Sequence, residues 1–304
     1  ILNQIAKLWS LSENIEITLE ANPTSVEANQ FKQYSNLGVN RLSLGIQALN
    51  DKDLKNLGRL HNTREALDAF DIARRFFNKI SCDLIYGRQN QSIKSWETEL
   101  EEALLMPSDH FSFYQLTIEK GTRFYELNKK NKLKGLPPDD KSVSFYQTTQ
   151  DLCSQYGFLS YEISNYSKPN CESIHNLNYW NCGDYIGIGA GAHGRITQKK
   201  DRVSTETPLS PEVWLKKIQE NQISQFPCKK ISKTEQAQEY IMMSLRLING
   251  LNKKALATIS ENSLNNNSLQ ALEQLGLIKQ TDQSIKATEK GRLLLNHIIK
   301  ELLL

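Results

Sequence analysis

The strongest constraint on this chain is a repeated alternation. Short strand-like runs are each followed by a stretch with helical spacing. Ile15-Glu16-Ile17-Thr18-Leu19 alternates as a strand does and ends at Glu20-Ala21-Asn22-Pro23. Thr24 or Ser25 then caps a helix to about residue 37, closed by Gly38. Arg41-Leu42-Ser43-Leu44-Gly45 is the next strand, ending near Gln47. Ala66, Leu67, Phe70, Ala73 and Phe77 then form one stripe of a helix over 63–77. Cys82-Asp83-Leu84-Ile85-Tyr86 gives a third strand, followed by a helix over 93–106. Phe111-Ser112-Phe113-Tyr114-Gln115-Leu116 is a fourth. Successive β-α-β-α units require crossover connections, so the strands lie parallel with helices against them. The fold class is α/β, as a barrel or a doubly wound layer.

In parallel α/β folds ligands gather at the carboxyl ends of the strands. Glu20 and Gln47 stand at two such ends, and Arg59 follows further along. Asp83 lies inside its strand, where an unpaired carboxylate is costly. Each has an ordinary reading alone: Glu20 as a helix-entry anion, Asp83 as a carboxylate satisfied by amides or a salt bridge. Converging from successive strands, they share one concave end. Residues 121–140 are charged and turn-rich, an excursion or lid. A helix over 139–156 and a strand at Leu159-Ser160-Tyr161-Glu162-Ile163 follow.

His175-Asn176-Leu177-Asn178-Tyr179-Trp180 sets an imidazole, carboxamides and two large rings in six positions. A neutral imidazole can be an axial ligand of haem iron, and aromatic rings pack well on a flat macrocycle. The ordinary reading of a His beside aromatics is a hydrogen-bonded core histidine. Gly187, Gly189 and Ala192 fit GxGxxA, with Glu206 at a suitable distance. A dinucleotide loop must open a helix, however, and 195–206 is polar and unpatterned. Close approach of backbone to a ligand or another strand explains these glycines better.

The last seventy residues read as three helical pieces, a hairpin containing Ile285 and a terminal helix over 292–304. That is a winged-helix pattern. Its recognition stretch, 261–277, contains no Lys or Arg to neutralise phosphates, so no nucleic-acid partner is expected. The terminal helix, with Leu293, Leu294, Ile298 and Leu302, reads as a docking helix. The net charge of +3 is not concentrated in a block. No apolar run reaches the roughly 18–20 residues of a membrane span. The five cysteines are separated by 71, 18, 11 and 46 positions, too far apart for a local cluster motif. Scattered and odd in number, they fit reduced thiols in a cytoplasm.

Several of these segments together resemble a known family. They are Glu20-Ala21-Asn22-Pro23; Gly38-Val39-Asn40-Arg41-Leu42-Ser43-Leu44-Gly45-Ile46-Gln47; Leu57-Gly58-Arg59 with His61; and Asp83-Leu84-Ile85-Tyr86-Gly87. Tyr161-Glu162-Ile163-Ser164-Asn165, the His175 hexapeptide and the 187–193 glycine run follow in order. The chain is similar to the oxygen-independent coproporphyrinogen III oxidase-like branch of the radical SAM superfamily, and within it to the HemW-type haem chaperones. The HNxxYW element separates the chaperone-like members from the oxidases.

The resemblance implies a partial TIM-type radical SAM barrel followed by a small winged-helix-like α+β domain. It implies three regions: a partial barrel over 1–120, an accessory region over 121–230 and the closing domain over 231–304. Glu20, Gln47, Arg59 and Asp83 match positions that contact S-adenosylmethionine. His175, Tyr179 and Trp180 match the haem element, with His175 a candidate iron ligand. Haem, S-adenosylmethionine and, in the intact protein, a [4Fe–4S] cluster are the implied cofactors. Client haemoproteins, including membrane-bound respiratory ones, are the implied partners, and a homodimer is admitted. The alternatives are a coproporphyrinogen III oxidase and an inactive remnant. The departures matter equally. The family's CxxxCxxC motif and Gly-rich S-adenosylmethionine loop do not appear, so the chain is expected to be a fragment lacking the first barrel strands and negligible in radical generation alone. Arg88-Gln89 also stands where many members have Leu-Pro.

Overall fold

The computed structural model describes residues 1–199, 201–221, 226–260 and 264–303. It divides into two compact units, Ile1–Glu172 and Ser173–Leu304.

The first unit opens with α1 (Leu2–Leu8), β1 (Thr18–Ala21), α2 (Ser25–Ala28) and α3 (Phe31–Asn36). Next come β2 (Arg41–Gln47), α4 (Asp51–Asn56), α5 (Thr63–Ala73), β3 (Lys79–Tyr86), α6 (Ile93–Leu104) and β4 (His110–Gln115). It closes with α7 (Arg123–Lys129), α8 (Asp139–Gln155), β5 (Leu159–Ser160) and β6 (Asn165–Ser167). One sheet runs β1-β2-β3-β4-β6-β5. The first four strands are parallel; β6 pairs antiparallel with β4, and β5 antiparallel with β6. This is the α/β class and partial barrel expected.

Strand alternation gives the sheet two unlike faces. Leu42, Leu44, Ile46, Cys82, Leu84, Phe111 and Phe113 point to the helices and are buried there. Trp96 of α6 fills that core, 5.4 Å from the Tyr86 ring and edge-on to Phe113, with its Nε1 donating to Thr149 Oγ1 at 2.9 Å. The opposite face carries Glu20, Ser43, Ser81, Asp83, His110 and Ser112. Register pairs Glu20 with Ser43, Ser43 with Ser81, and Asp83 with Ser112. One face holds the fold together and the other is polar.

The starts of the strands are tied separately. Arg41, only 2% exposed, pairs with Glu16 at 3.4 Å and donates to the Cys171 carbonyl at 3.2 Å. In barrel folds this end of the strands serves stability.

Three expectations need correction. The single helix over 24–37 is α2 plus α3. Between them Gln30 N–H donates to the Glu27 carbonyl, a tightened turn that delivers Phe31 edge-on to Phe77. The strand over 159–163 stops at Ser160, because Glu162 turns inward. Its buried carboxylate accepts from the backbone N–H groups of Ile163, Ser164 and Asn165 and from the Asn165 carboxamide. A carboxylate taking that many amides makes a corner, and β6 begins beyond it. The excursion over 121–140 is not all turn: Thr122 caps α7 within it.

The second unit contains α9 (Ile174–Trp180), β7 (His193–Gln198), β8 (Asp201–Glu206), α10 (Pro211–Gln219) and β9 (Cys228–Ile231). Strands β7, β8 and β9 form an antiparallel sheet, so the stretch 195–206 read as unpatterned is most of a hairpin. The rest is α11 (Lys233–Ser244), β10 (Leu251–Asn252), α12 (Lys253–Ile259), α13 (Asn266–Gln274), β11 (Ile278–Gln280), β12 (Ser284–Ala287), α14 (Glu289–Leu293) and α15 (Leu295–Leu303). Three helices then lead to the β11–β12 hairpin, paired to β10, the winged arrangement expected. Of the stretch 261–277, residues 261–263 lie outside the described residues. The terminal helix breaks at Leu294, which is exposed; α15 buries Leu295, Ile298, Ile299 and Leu302. Among the described residues no helix is long and apolar enough to cross a membrane.

Candidate functional site

Asp83 sits mid-strand on the polar face and accepts from Ser43 Oγ at 3.1 and 3.3 Å. Burial pushes its carboxyl up to about 6; hydrogen bonds from Ser112, Ser43 and Ser81 oppose this, and the nearby Glu20 carboxylate reinforces it. Glu20 itself is exposed at the end of β1. The turn after it is fixed by Glu27, which accepts from Asn22 N–H at 2.6 Å. Two carboxylates and a row of hydroxyls therefore share one region of the face. That set suits ribose hydroxyls or an ammonium group.

Gln47 ends β2 after a register shift, with φ of +73°, a conformation rare for a residue with a Cβ. Its carboxamide folds back over Gly45. A Cβ at Gly45 would stand 2.8 Å from Gln47 Nε2, so the glycine makes room for it. Arg59 follows α4, and His61, only 6% exposed, donates from Nε2 to the Ile46 carbonyl at 3.1 Å. This anchors the Arg59 loop to the end of β2. Arg59 Nε is buried and has no hydrogen-bond partner. An orphaned guanidinium N–H is a place for a carboxylate oxygen.

The face continues as a hydrogen-bonded row. Ser81 Oγ meets His110 Nδ1 at 2.6 Å, and His110 Nε2 meets the Tyr161 hydroxyl at 2.8 Å. Burial pushes His110 down to about 3, so the ring is neutral at physiological pH.

The hexapeptide in the second unit is the helix α9. Ser173 caps it, accepting from Asn176 N–H. Its rings do not form one cluster. His175 and Tyr179, one turn apart, meet edge-to-face at 4.6 Å, and Tyr179 meets Tyr185 at 4.5 Å. Trp180 lies instead beneath Arg246, 5.9 Å from its guanidinium carbon. Asn178 donates to the Asp184 carbonyl at 3.1 Å and holds the turn after the helix. His175 is exposed, and α9 carries no charged side chain. This suits an apolar planar ligand with an open coordination position.

The glycine run opens strand β7, not a helix. A Cβ at Gly187 would lie 2.1 Å from the His193 carbonyl oxygen, so two backbone segments touch there. The backbone of Tyr185 bonds that of Arg195 in both directions, at 2.7 and 2.9 Å, which sets the Tyr185 ring against α9.

The four residues expected to contact S-adenosylmethionine thus lie wholly in the first unit, and the three expected to contact haem wholly in the second. Sequence reasoning missed Tyr185, Arg246 and the buried ion pair that Arg88 makes with Glu99 of α6. It noted His61 without its role. Their contacts, Tyr185 with Tyr179, Arg246 with Trp180 and Arg88 with Glu99, follow no local spacing rule. Among the described residues no group of three or more His, Cys, Asp or Glu side chains is placed to hold a metal ion. The cysteines do not fit an iron–sulfur cluster: Cys82 and Cys153 are buried, and no two of the five lie within four residues of each other.

Comparison with known proteins gives this geometry a context. Residues 1–103 match the radical SAM superfamily, and residues 231–294 match the HemN C-terminal domain. The heme chaperone HemW of Buchnera aphidicola (from Acyrthosiphon pisum) is 37% identical over 99% of this chain and 78% of its own length. The mitochondrial radical S-adenosyl methionine domain-containing protein 1 of Dictyostelium discoideum is 38% identical, over 96% of this chain and 72% of its own. The solved structure of coproporphyrinogen III oxidase (HemN) from Escherichia coli, a radical SAM enzyme, superposes with a TM-score of 0.80. It covers 99% of this chain and 72% of that one at 19% identity, and it shows the fold. On these matches the chain belongs to the HemW family of the radical SAM superfamily.

Proposed function

We propose that this chain binds haem at α9 and passes it to client haemoproteins, membrane-bound respiratory enzymes among them. The observation that carries the reading is the ring ladder of His175 and Tyr179 on α9 with Tyr185 beyond it, beside an exposed imidazole on a helix with no charged side chain. His175 would hold the haem iron through a ring nitrogen, and the Tyr179 ring, edge-on to the imidazole, would fix its orientation. The family relationship to proteins named heme chaperones supports the same assignment. S-adenosylmethionine occupies the strand ends of the first unit. Arg59 takes the methionyl carboxylate, and Glu20 and Asp83 take its ammonium and the ribose hydroxyls. Gln47 borders the same site. When bound to a reduced cluster that cofactor supplies radical chemistry, but this chain offers no cluster ligands among the described residues, and no such step is assigned to it. The free thiols support a reducing, cytoplasmic setting.

Haem titration followed at the Soret band tests the reading, with His175→Ala and Tyr179→Ala alongside. A saturable shift is expected in the wild type, weakened at least tenfold in His175→Ala and less in Tyr179→Ala. Equal spectra and affinity in wild type and His175→Ala would remove α9 from the site.

A further inference from the structure

We infer that Arg88 and Glu99 are positioning residues for the S-adenosylmethionine site, acting through the turn that carries Gln47; the inference rests on the reading of that site given above. Neither residue touches the polar face. Both are buried, Arg88 at 3% and Glu99 at 7% exposure. Arg88 Nη1 meets Glu99 Oε1 at 3.1 Å, Nη2 pairs with Glu99 Oε2, and Nη2 also reaches Asp53 of α4 at 3.0 Å.

The pair is directed at backbone. Glu99 accepts from Leu49 N–H at 2.6 Å, and Arg88 Nη1 donates to the Ile85 carbonyl at 3.1 Å and toward the Gln47 carbonyl at 3.5 Å. With His61 on the Ile46 carbonyl, the turn is gripped at residues 46, 47 and 49. These grips flank the one residue of the turn with positive φ, the residue whose carboxamide lies over Gly45. A buried ion pair is a poor source of net stability compared with well-packed apolar residues of similar size. It can, however, define one geometry. The strained conformation of Gln47 is such a geometry, over-determined by its surroundings.

The test separates stability from positioning. Arg88→Leu alone strands the Glu99 carboxylate and should lower both the melting temperature and S-adenosylmethionine affinity. Arg88→Leu/Glu99→Leu removes both charges. It should recover most of the melting temperature yet keep a loss of affinity of about tenfold by isothermal titration. Gln47→Ala closes the cycle: adding the double change to it should weaken binding little further, because the pair works through Gln47. A double variant with wild-type affinity, or a loss fully additive with Gln47→Ala, overturns the role of the pair. Wild-type protein with no measurable affinity for S-adenosylmethionine instead overturns the site assignment itself, and the pair's role with it.

Discussion

At the scale of single residues, Asp83 and His110 carry opposite pH signatures. Folded Asp83 keeps its proton up to about 6, whereas an unfolded carboxyl loses it near 4. Between those values the folded state binds more proton, so acidification strengthens this contribution and neutral pH withholds it. Asp83→Asn should therefore stabilise the first unit at pH 7 by about 1–3 kcal/mol while weakening S-adenosylmethionine binding. Melts across pH 4 to 7 check it; a variant no more stable than wild type at pH 7 counts against the burial argument. His110 runs the other way. Pushed down to about 3, it refuses in the fold a proton that the unfolded chain accepts below roughly 6.5, so acid weakens its contribution. The two offset each other between about 4 and 6, and only the variants separate them. Asp83 was legible in sequence as a carboxylate inside a strand. His110 was not, because nothing local shows that Ser81 and Tyr161 will take its two nitrogens.

At the scale of elements, legibility followed the faces. Strands β2, β3 and β4 were readable because each turns apolar residues to the helices at every second position. The β7–β8 hairpin was not, because Arg195, Thr197, Arg202 and Ser204 leave no apolar period. The corner at Glu162 was hidden for a different reason: a carboxylate that ends a strand by collecting amides looks, in sequence, like any polar strand residue. The glycine run was legible in kind, as close backbone approach, but its partner, the His193 backbone, is visible only in the fold. It yields a prediction. Gly187→Ala places a methyl against the His193 carbonyl and should open the Tyr185–Arg195 bridge. A loss of about 1–3 kcal/mol by chemical denaturation is expected, as for overpacking elsewhere. A weakened Soret shift should accompany it, because Tyr185 then leaves Tyr179. Unchanged stability would mean that the two segments part easily.

At the scale of the whole molecule, each compact unit buries its own side chains: Trp96 and the phenylalanines in one, Ile298, Ile241 of α11 and the leucines of α13 and α15 in the other. Ile298→Ala, at a fully buried position, should cost roughly 2–5 kcal/mol in the second unit. Calorimetry should show its transition moving while the transition carried by Trp96 stays. A single transition moving as a whole would show instead that the units melt together. The fold was legible because ordered strand and helix patterns carry it, and the candidate residues at the strand ends were named from the same motifs; the burial of Arg88 and Glu99 was not legible, since both resemble surface residues in sequence. The polar face has one more consequence. Ser43 donates to Asp83, Ser81 bonds His110 and Ser112, and Ser112 bonds Asp83, so the polar groups of this face largely satisfy one another. A ligand entering this face must exchange hydrogen bonds already made rather than fill open ones. A molecule that returns fewer of them is turned away, so the face selects by polar pattern as well as by shape.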